Sequence, residues 1–286
     1  MSTDVEGKME DVVRSVSDSE AIQHLKNLSV FGYTRVESFL DRTLVERLKL
    51  LVESYWDPAR TYLYSNGEPA KDKNVIYNLQ NKDKSFIDLL DGPFVTRVLM
   101  ESLNDPYYYF LPPDVPNYVL SNYNARSSVE RLDLHIDSYI PVVGKRALSV
   151  QVTYMLDDQT EDNGCTVVAP GSHLSGEFAD REMSTVEPVI SRAGDLVMWD
   201  TRLWHGTRAN SVQQSRWALL ARVTRWWMKP AVDIPRSLPD EIYRQLSPRQ
   251  KALLGFCAIP PIDETLRINT KAGYEVLRTS VADYSG

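Results

Sequence analysis

Residues 131–140 read RLDLHIDSYI, and the middle of that stretch sets the question. The chain has four histidines: His24, His135, His173 and His205. His135 stands two residues before a carboxylate, Asp137, inside LDLHID, which reads as a short strand. In a strand, residues i and i+2 project from the same face. One imidazole and one carboxylate would then stand side by side. Such a pair is either two thirds of a metal site or an ordinary surface pair, and the rest of the chain has to decide.

Working outward, residues 106–228 break into short β-type runs separated by turn residues: NYVLSNYN, LDLHID, ALSVQVTYML, CTVVAP, VEPVI, DLVMWD and WALLARVTRWW. Many short strands with Gly, Pro and Asp turns point to a sandwich or barrel. Helical signals flank this region. SEAIQHLKNL reads as a short helix and FGYTRVESFL as a strand. In DRTLVERLKLLVESYW the residues Leu44, Val45, Leu48, Leu51, Val52 and Tyr55 follow helical spacing. Asp41 or Thr43 can cap that helix, and Thr43 with Glu46 matches the capping-box pattern. GPFVTRVLMESL places Pro93 in a first helical turn. After Pro230, LPDEIYRQL and SPRQKALLG read as helices, the second with Ser247 as cap, Pro248 at its first position and Gly255 as its stop. The expectation is one domain over 1–286: a mainly β core at 106–228, a C-terminal helical region at 229–286, and a polar, frayed start over 1–18.

Composition narrows the function classes. The chain has 286 residues, 43% apolar and 25% charged, which is ordinary for a globular protein. Its net charge of −7 argues against non-specific nucleic-acid binding, which needs clustered cations against phosphates. No apolar run approaches the roughly 20 residues that span a bilayer. The opening MSTDVEGKMEDVV is acidic and lacks the apolar segment of a secretory signal. Cys165 and Cys257 form no CxxC and read as free thiols in a reducing compartment. These features lead to the expectation of a cytoplasmic monomer or homodimer acting on a small molecule, with no nucleic-acid or membrane partner.

The second chemical stretch is GDLVMWDTRLWHGT, residues 194–207. A strand and a short turn deliver His205 at its end, and Arg216 follows eleven residues later. His135, Asp137 and His205 form a His-x-Asp…His set. Two imidazoles and one carboxylate on one face of a metal leave coordination positions open, the arrangement suited to non-haem Fe(II). Zinc proteases place two histidines four apart on a helix, and no HExxH occurs here. His173 ends the Pro-Gly turn of PGSH and reads as structural; His24 reads as surface or packing. Arg208, Arg222 and Arg225 compete with Arg216 as a candidate anion ligand. Arg222 shares its strand face by parity but lies about 20 Å further along.

HID at 135–137, DNGCTVVAPGSH at 162–173, AGDLVMWDTRLWHGTRAN at 193–210 and the downstream Arg216 occur in an order that resembles the phytanoyl-CoA dioxygenase family. The likeness runs from about Asn122 to Arg225. It implies a double-stranded β-helix (jelly-roll) core and an Fe(II)- and 2-oxoglutarate-dependent oxygenase. It also implies iron ligands at His135, Asp137 and His205, and Arg216 as the guanidinium that grips the distal carboxylate of 2-oxoglutarate in a bidentate fork. Thr207, Asn122, Gln151 and Thr153 are further co-substrate candidates. Such enzymes consume 2-oxoglutarate and O2, release succinate and CO2, and hydroxylate their substrate; desaturation, cyclisation and epoxidation branch from the same chemistry. Related halogenases carry Gly or Ala where this chain has Asp137, so a carboxylate there implies oxygenation. The segment NVIYNLQNKD at 74–83 falls where relatives build a pocket wall, which makes Tyr77, Asn78 and Gln80 substrate candidates, together with Tyr139, Arg146, Met198 and Trp204. Aromatic and amide lining suits a medium-sized, partly polar molecule such as a secondary metabolite. No basic cluster suits the phosphates of a CoA thioester. Two other readings stay open on the residues: a cupin-type metal enzyme that does not use 2-oxoglutarate, and a non-catalytic jelly-roll binding module.

Overall fold

The structure, a computed structural model, describes residues 13–63, 66–69, 74–105, 111, 115–127, 130–181, 183, 185–259, 263 and 265. The start of the chain over residues 1–12, and nearly all of the C-terminal region beyond residue 259, lie outside the described residues. Elements follow in the order α1 (Asp18–Phe31), β1 (Tyr33–Val36), α2 (Arg42–Tyr55), β2 (Val75–Tyr77), α3 (Lys84–Leu90), α4 (Pro93–Leu103), β3 (Tyr118–Arg126), β4 (Leu132–His135), β5 (Ser149–Met155), β6 (Thr166–Val168), β7 (Glu187–Val189), β8 (Leu196–Asp200), β9 (His205–Thr207), β10 (Ala218–Arg225), α5 (Ile234–Ser237), α6 (Asp240–Tyr243) and α7 (Pro248–Leu253). The strands form two sheets, one ordered β1-β8-β5-β10-β3-β2 and the other β4-β9-β6-β7. With flanking helices, this is the expected double-stranded β-helix.

Local chemistry explains most boundaries. Ser17 caps α1 by accepting from the Glu20 N–H, and Gly32 ends it at φ 84°. A Cβ at Gly32 would stand 2.6 Å from His173 Nδ1, so glycine is required there by both backbone and space. Of the two cap candidates for α2, Asp41 is the one used: its side chain accepts from the Leu44 N–H. Thr43 lies inside the first turn, so the Thr43–Glu46 capping box does not form. Ser247 and Gln250 do form a capping box at α7. The helix expected over LPDEIYRQL is confined to the four residues of α6. Helix α3, capped by Asp83, forms where the sequence reading places no element.

The chain divides into two compact units. The first comprises residues 1–77, 124–145 and 151–220. It contains the whole β4-β9-β6-β7 sheet, and its core joins Met155, Val197, Trp199 and Ala218 of one sheet to Val168 and Val189 of the other. Full burial of each large apolar side chain contributes roughly 1.5–3 kcal/mol. Strand alternation then sets the faces. Val197 and Trp199 turn inward, so Met198 turns outward; Met155 turns inward, and Gln151 and Thr153 share its face. The second unit comprises residues 78–123, 146–150 and 221–286. There Arg225 donates to the Leu103 and Ser102 carbonyls at the end of α4 and to the Ala147 carbonyl. Gln250 and Arg249 of the α7 end bind Asp88 and Asp91 beside α3. Among the described residues, no helix is long and apolar enough to cross a membrane.

Candidate metal centre

The centre lies in the first unit, where β4 and β9 pair antiparallel and place His135 directly opposite His205. Their ring centroids are 4.3 Å apart. From the Leu132–Thr207 pair to the His135–His205 pair, β4 advances three residues while β9 advances two, so β4 carries a bulge. A bulge bends its strand and re-aims the side chain beyond it. Here the bulge precedes His135, which pairs with His205 and is the last residue of the strand. Asp137 therefore does not stand beside His135 as an i+2 strand neighbour. It sits in the bend that follows, where its N–H donates to the Thr201 carbonyl at 2.8 Å and the Ser138 N–H to the same oxygen at 3.2 Å.

The hydrogen bonds of the two imidazoles fix which nitrogen is offered. His135 Nδ1 lies 2.9 Å from the Asp133 carbonyl, and His205 Nδ1 lies 2.9 Å from the Leu203 carbonyl. A carbonyl only accepts, so each Nδ1 carries the proton. The Nε2 atoms are left facing Asp137, at 3.6 Å from one carboxylate oxygen and 3.4 Å from the other. The ligand atoms of the three residues all lie within 4.8 Å of one another. That is a spacing a cation, or protons, would bridge. Orientation of a ligating imidazole by a carbonyl at its far nitrogen is the usual support of a metal site. Burial disfavours a proton on His135, yet the hydrogen bond and charge of Asp137 outweigh it and raise the pKa, with Arg126 opposing. Burial also resists ionisation of Asp137. The charge on His205 and the hydrogen bonds from both imidazoles nonetheless hold its carboxyl well below the usual range. Two imidazole nitrogens and one carboxylate that favours its ionised form converge here, and this donor set fits a divalent metal.

Arg216 is buried just before β10. Its Nη1 donates to Gln159 Oε1 at 3.3 Å, Gln159 Nε2 donates back to the Arg216 carbonyl at 3.1 Å, and its N–H donates to Ser127 Oγ. Burial pushes its pKa down, opposed by Cys165. Thr207 Oγ1 accepts from the Leu132 N–H. Gln151 and Thr153 lie on the inward face of β5, and Thr153 Oγ1 is buried without a hydrogen-bond partner. Tyr77 meets Tyr62 edge-on, with centroids 4.7 Å apart. Tyr139 is 68% exposed at φ 65°, and Trp204 Nε1 donates to the Glu177 carbonyl. Met198 is buried on the outward face of β8, opposite to Trp199. In the second unit, Asn122 Oδ1 is buried and unbonded on β3. Asn78 adopts a left-handed backbone at φ 58°. Gln80 is fully buried with neither amide atom bonded, and Arg146 pairs with Asp105 at 3.8 Å.

Several contributors were not singled out by the sequence reading. Trp199 packs its ring 5.3 Å from His205, and its Nε1 is buried without a partner. Strand parity with Val197 carries the signal for Trp199, since both face inward. Trp204, the sequence neighbour of His205, instead turns away to Glu177. Gln159 and Thr201 act through amide or backbone bonds to residues far along the chain, which no local pattern announces, and Leu203 through its backbone carbonyl to His205.

Comparison with known proteins adds an independent line. The sequence model of the phytanoyl-CoA dioxygenase (PhyH) family matches residues 29–218. The dioxygenase af480 of Aspergillus fumigatus is 26% identical over 266 residues, covering 87% of this chain and 80% of that protein. Two solved structures share the fold. The epimerase SnoN in complex with Fe3+, alpha ketoglutarate and nogalamycin RO has a TM-score of 0.56 and 16% identity, covering 73% of this chain and 84% of that one. HygX from Streptomyces hygroscopicus with nickel, 2-oxoglutarate and hygromycin B has a TM-score of 0.55 and 18% identity, covering 73% and 88%.

Proposed function

Because the chain belongs to the phytanoyl-CoA dioxygenase family of Fe(II)- and 2-oxoglutarate-dependent oxygenases, we propose that it oxidises a C–H bond of a small molecule, with hydroxylation as the outcome. In this reading the chain acts as one oxygenase domain. His135 Nε2, His205 Nε2 and the Asp137 carboxylate hold the iron. The observation that carries this reading is the pair of Nδ1–H to carbonyl bonds, which leaves both Nε2 lone pairs aimed at one carboxylate. Bound Fe(II), with 2-oxoglutarate, supplies O2 activation, in which the co-substrate is converted to succinate and CO2 as the substrate is oxidised.

The protein's share is positioning and exclusion of water. Arg216, held rigid by Gln159, offers its guanidinium to the distal carboxylate of 2-oxoglutarate. Thr153 Oγ1 and Trp199 Nε1, both buried without partners, are polar atoms an oxygen-rich co-substrate would satisfy. Asp137 occupies a ligand position with a carboxylate, and the proposed reaction is therefore oxygenation, with no place left for a halide. Small-molecule substrates are supported by the nogalamycin RO and hygromycin B in the SnoN and HygX complexes and by the fungal dioxygenases among the sequence relatives. A secondary metabolite is the class we favour.

Anaerobic addition of Fe(II) and then 2-oxoglutarate tests the reading. A weak visible charge-transfer band should appear only with both, and admission of O2 should release succinate. A protein that binds neither Fe(II) nor 2-oxoglutarate refutes it.

A further inference from the structure

We infer that the buried Asp200–Arg202 pair is a positioning device for the Asp137 loop, setting where the carboxylate ligand stands. The inference rests on the proposed metal centre. Asp200 ends β8 and Arg202 lies in the turn that leads to β9. Asp200 Oδ1 accepts from the Arg202 N–H at 2.9 Å and from its Nε at 3.0 Å, while Oδ2 accepts from Nη2 at 2.7 Å. This is a two-pronged carboxylate–guanidinium contact with both side chains almost wholly buried. The remaining guanidinium nitrogen, Nη1, reaches across to the Val142 carbonyl at 3.1 Å and the Gly144 carbonyl at 2.7 Å.

Those two carbonyls close the loop whose beginning carries Asp137. At the other end, Thr201 O accepts the Asp137 and Ser138 N–H groups. One turn, residues 200–202, therefore grips the loop at both ends. The next residue, Leu203, supplies the carbonyl that fixes the His205 tautomer. Apolar burial does not hold the loop in place: Tyr139, Ile140 and Val143 are 68%, 60% and 75% exposed. With its large side chains facing out, the loop is located mainly by these polar contacts. A buried charge pair is a weak source of net stability, because desolvation offsets its attraction. Here it aims a donor, and the pair is costly to break from one side only, which makes the aim rigid.

The test uses Co(II) alone as the probe on the full chain. Arg202→Met leaves Asp200 buried and unpaired and can fail to fold. Asp200→Asn with Arg202→Met removes both charges together and is the informative variant, with Arg202→Lys as the conservative one. The double variant should melt cooperatively yet bind Co(II) at least tenfold more weakly. Its visible d–d spectrum should change, and the amides of Asp137 and Ser138 should exchange hydrogen faster. Arg202→Lys should recover part of the affinity. Wild-type Co(II) affinity, spectrum and amide protection in the folded double variant would overturn the inference while leaving the metal centre standing. A wild-type chain that binds no Co(II) would overturn the metal centre, and the inference with it.

Discussion

The four histidines divide between two regions of the first unit, and the difference lies in whether two Nε2 atoms converge on one carboxylate. At β4 and β9, His135 and His205 both give Nδ1–H to a carbonyl two residues back and turn Nε2 toward Asp137. Around α1 and β1 only His173 reverses this; His24 keeps Nδ1 on Thr34 and Nε2 toward Glu20, with no second imidazole on that carboxylate. His173 spends Nε2 on the Ser29 carbonyl, and its Nδ1 is buried against Gly32 without a hydrogen-bond partner. His24 closes a local set with Thr34 and Glu20. The charges separate in the same way. Burial lowers the pKa of His24 and His173 despite nearby carboxylates, whereas Asp137 overcomes burial and raises that of His135. What sets the candidate ligands apart from the packing histidines is that two Nε2 atoms converge on one carboxylate.

The largest expected effect breaks the comparison at its ligand side. His135→Ala or His205→Ala should abolish Fe(II) binding and succinate release while the fold persists, as titration calorimetry and a thermal melt would show. His173→Ala should still bind Fe(II) like wild type. Full turnover in His205→Ala would remove the basis for separating the two regions.

Next in size is the co-substrate. Arg216→Ala should raise the 2-oxoglutarate concentration needed for half-maximal succinate release by a hundredfold or more. Leaving one partner of a buried charge pair unpaired costs roughly 3–5 kcal/mol, at about tenfold per 1.4 kcal/mol. Arg216→Lys should fall between, since it keeps the charge and loses the fork. A larger shift for Arg222→Ala would put the carboxylate on the other arginine.

A third measurement sharpens the comparison through pH. The raised pKa of His135 means that the metal-free fold holds this proton more tightly than the unfolded chain does. That contribution to stability is complete below the ordinary value of 6.5 and is lost as pH rises through the raised pKa. Metal binding runs the opposite way, because the proton competes at Nε2. Fe(II) or Co(II) affinity should fall about tenfold per pH unit below that pKa and level off above it. Affinity that is flat from acidic to neutral pH would mean that His135 is not a ligand.

The smallest effect belongs to the packing side. His24→Ala should cost on the order of 1–3 kcal/mol by leaving buried Thr34 without its partner, and should not change metal affinity. Chemical denaturation reads the first quantity and a Co(II) titration the second.

What the sequence by itself determined is whatever adjacent residues encode. The spacing of Leu44, Val45, Leu48 and Val52 marked α2, Ser247 with Pro248 marked the start of α7, and the runs between turn residues marked the β core. The order of HID, PGSH, WHG and Arg216 marked the iron-enzyme family. Periodicity, caps and motif order are properties of contiguous chain and are present before any folding. Tertiary structure alone decided the rest. It put a bulge into β4 ahead of His135, hung Asp137 from Thr201 and turned Trp199 toward His205. It also spent Arg202 on carbonyls about sixty residues away. Each of these depends on a partner that only the folded chain sets in place. A backbone carbonyl is the same chemical group in every residue, so no sequence pattern can announce which one a distant donor will find.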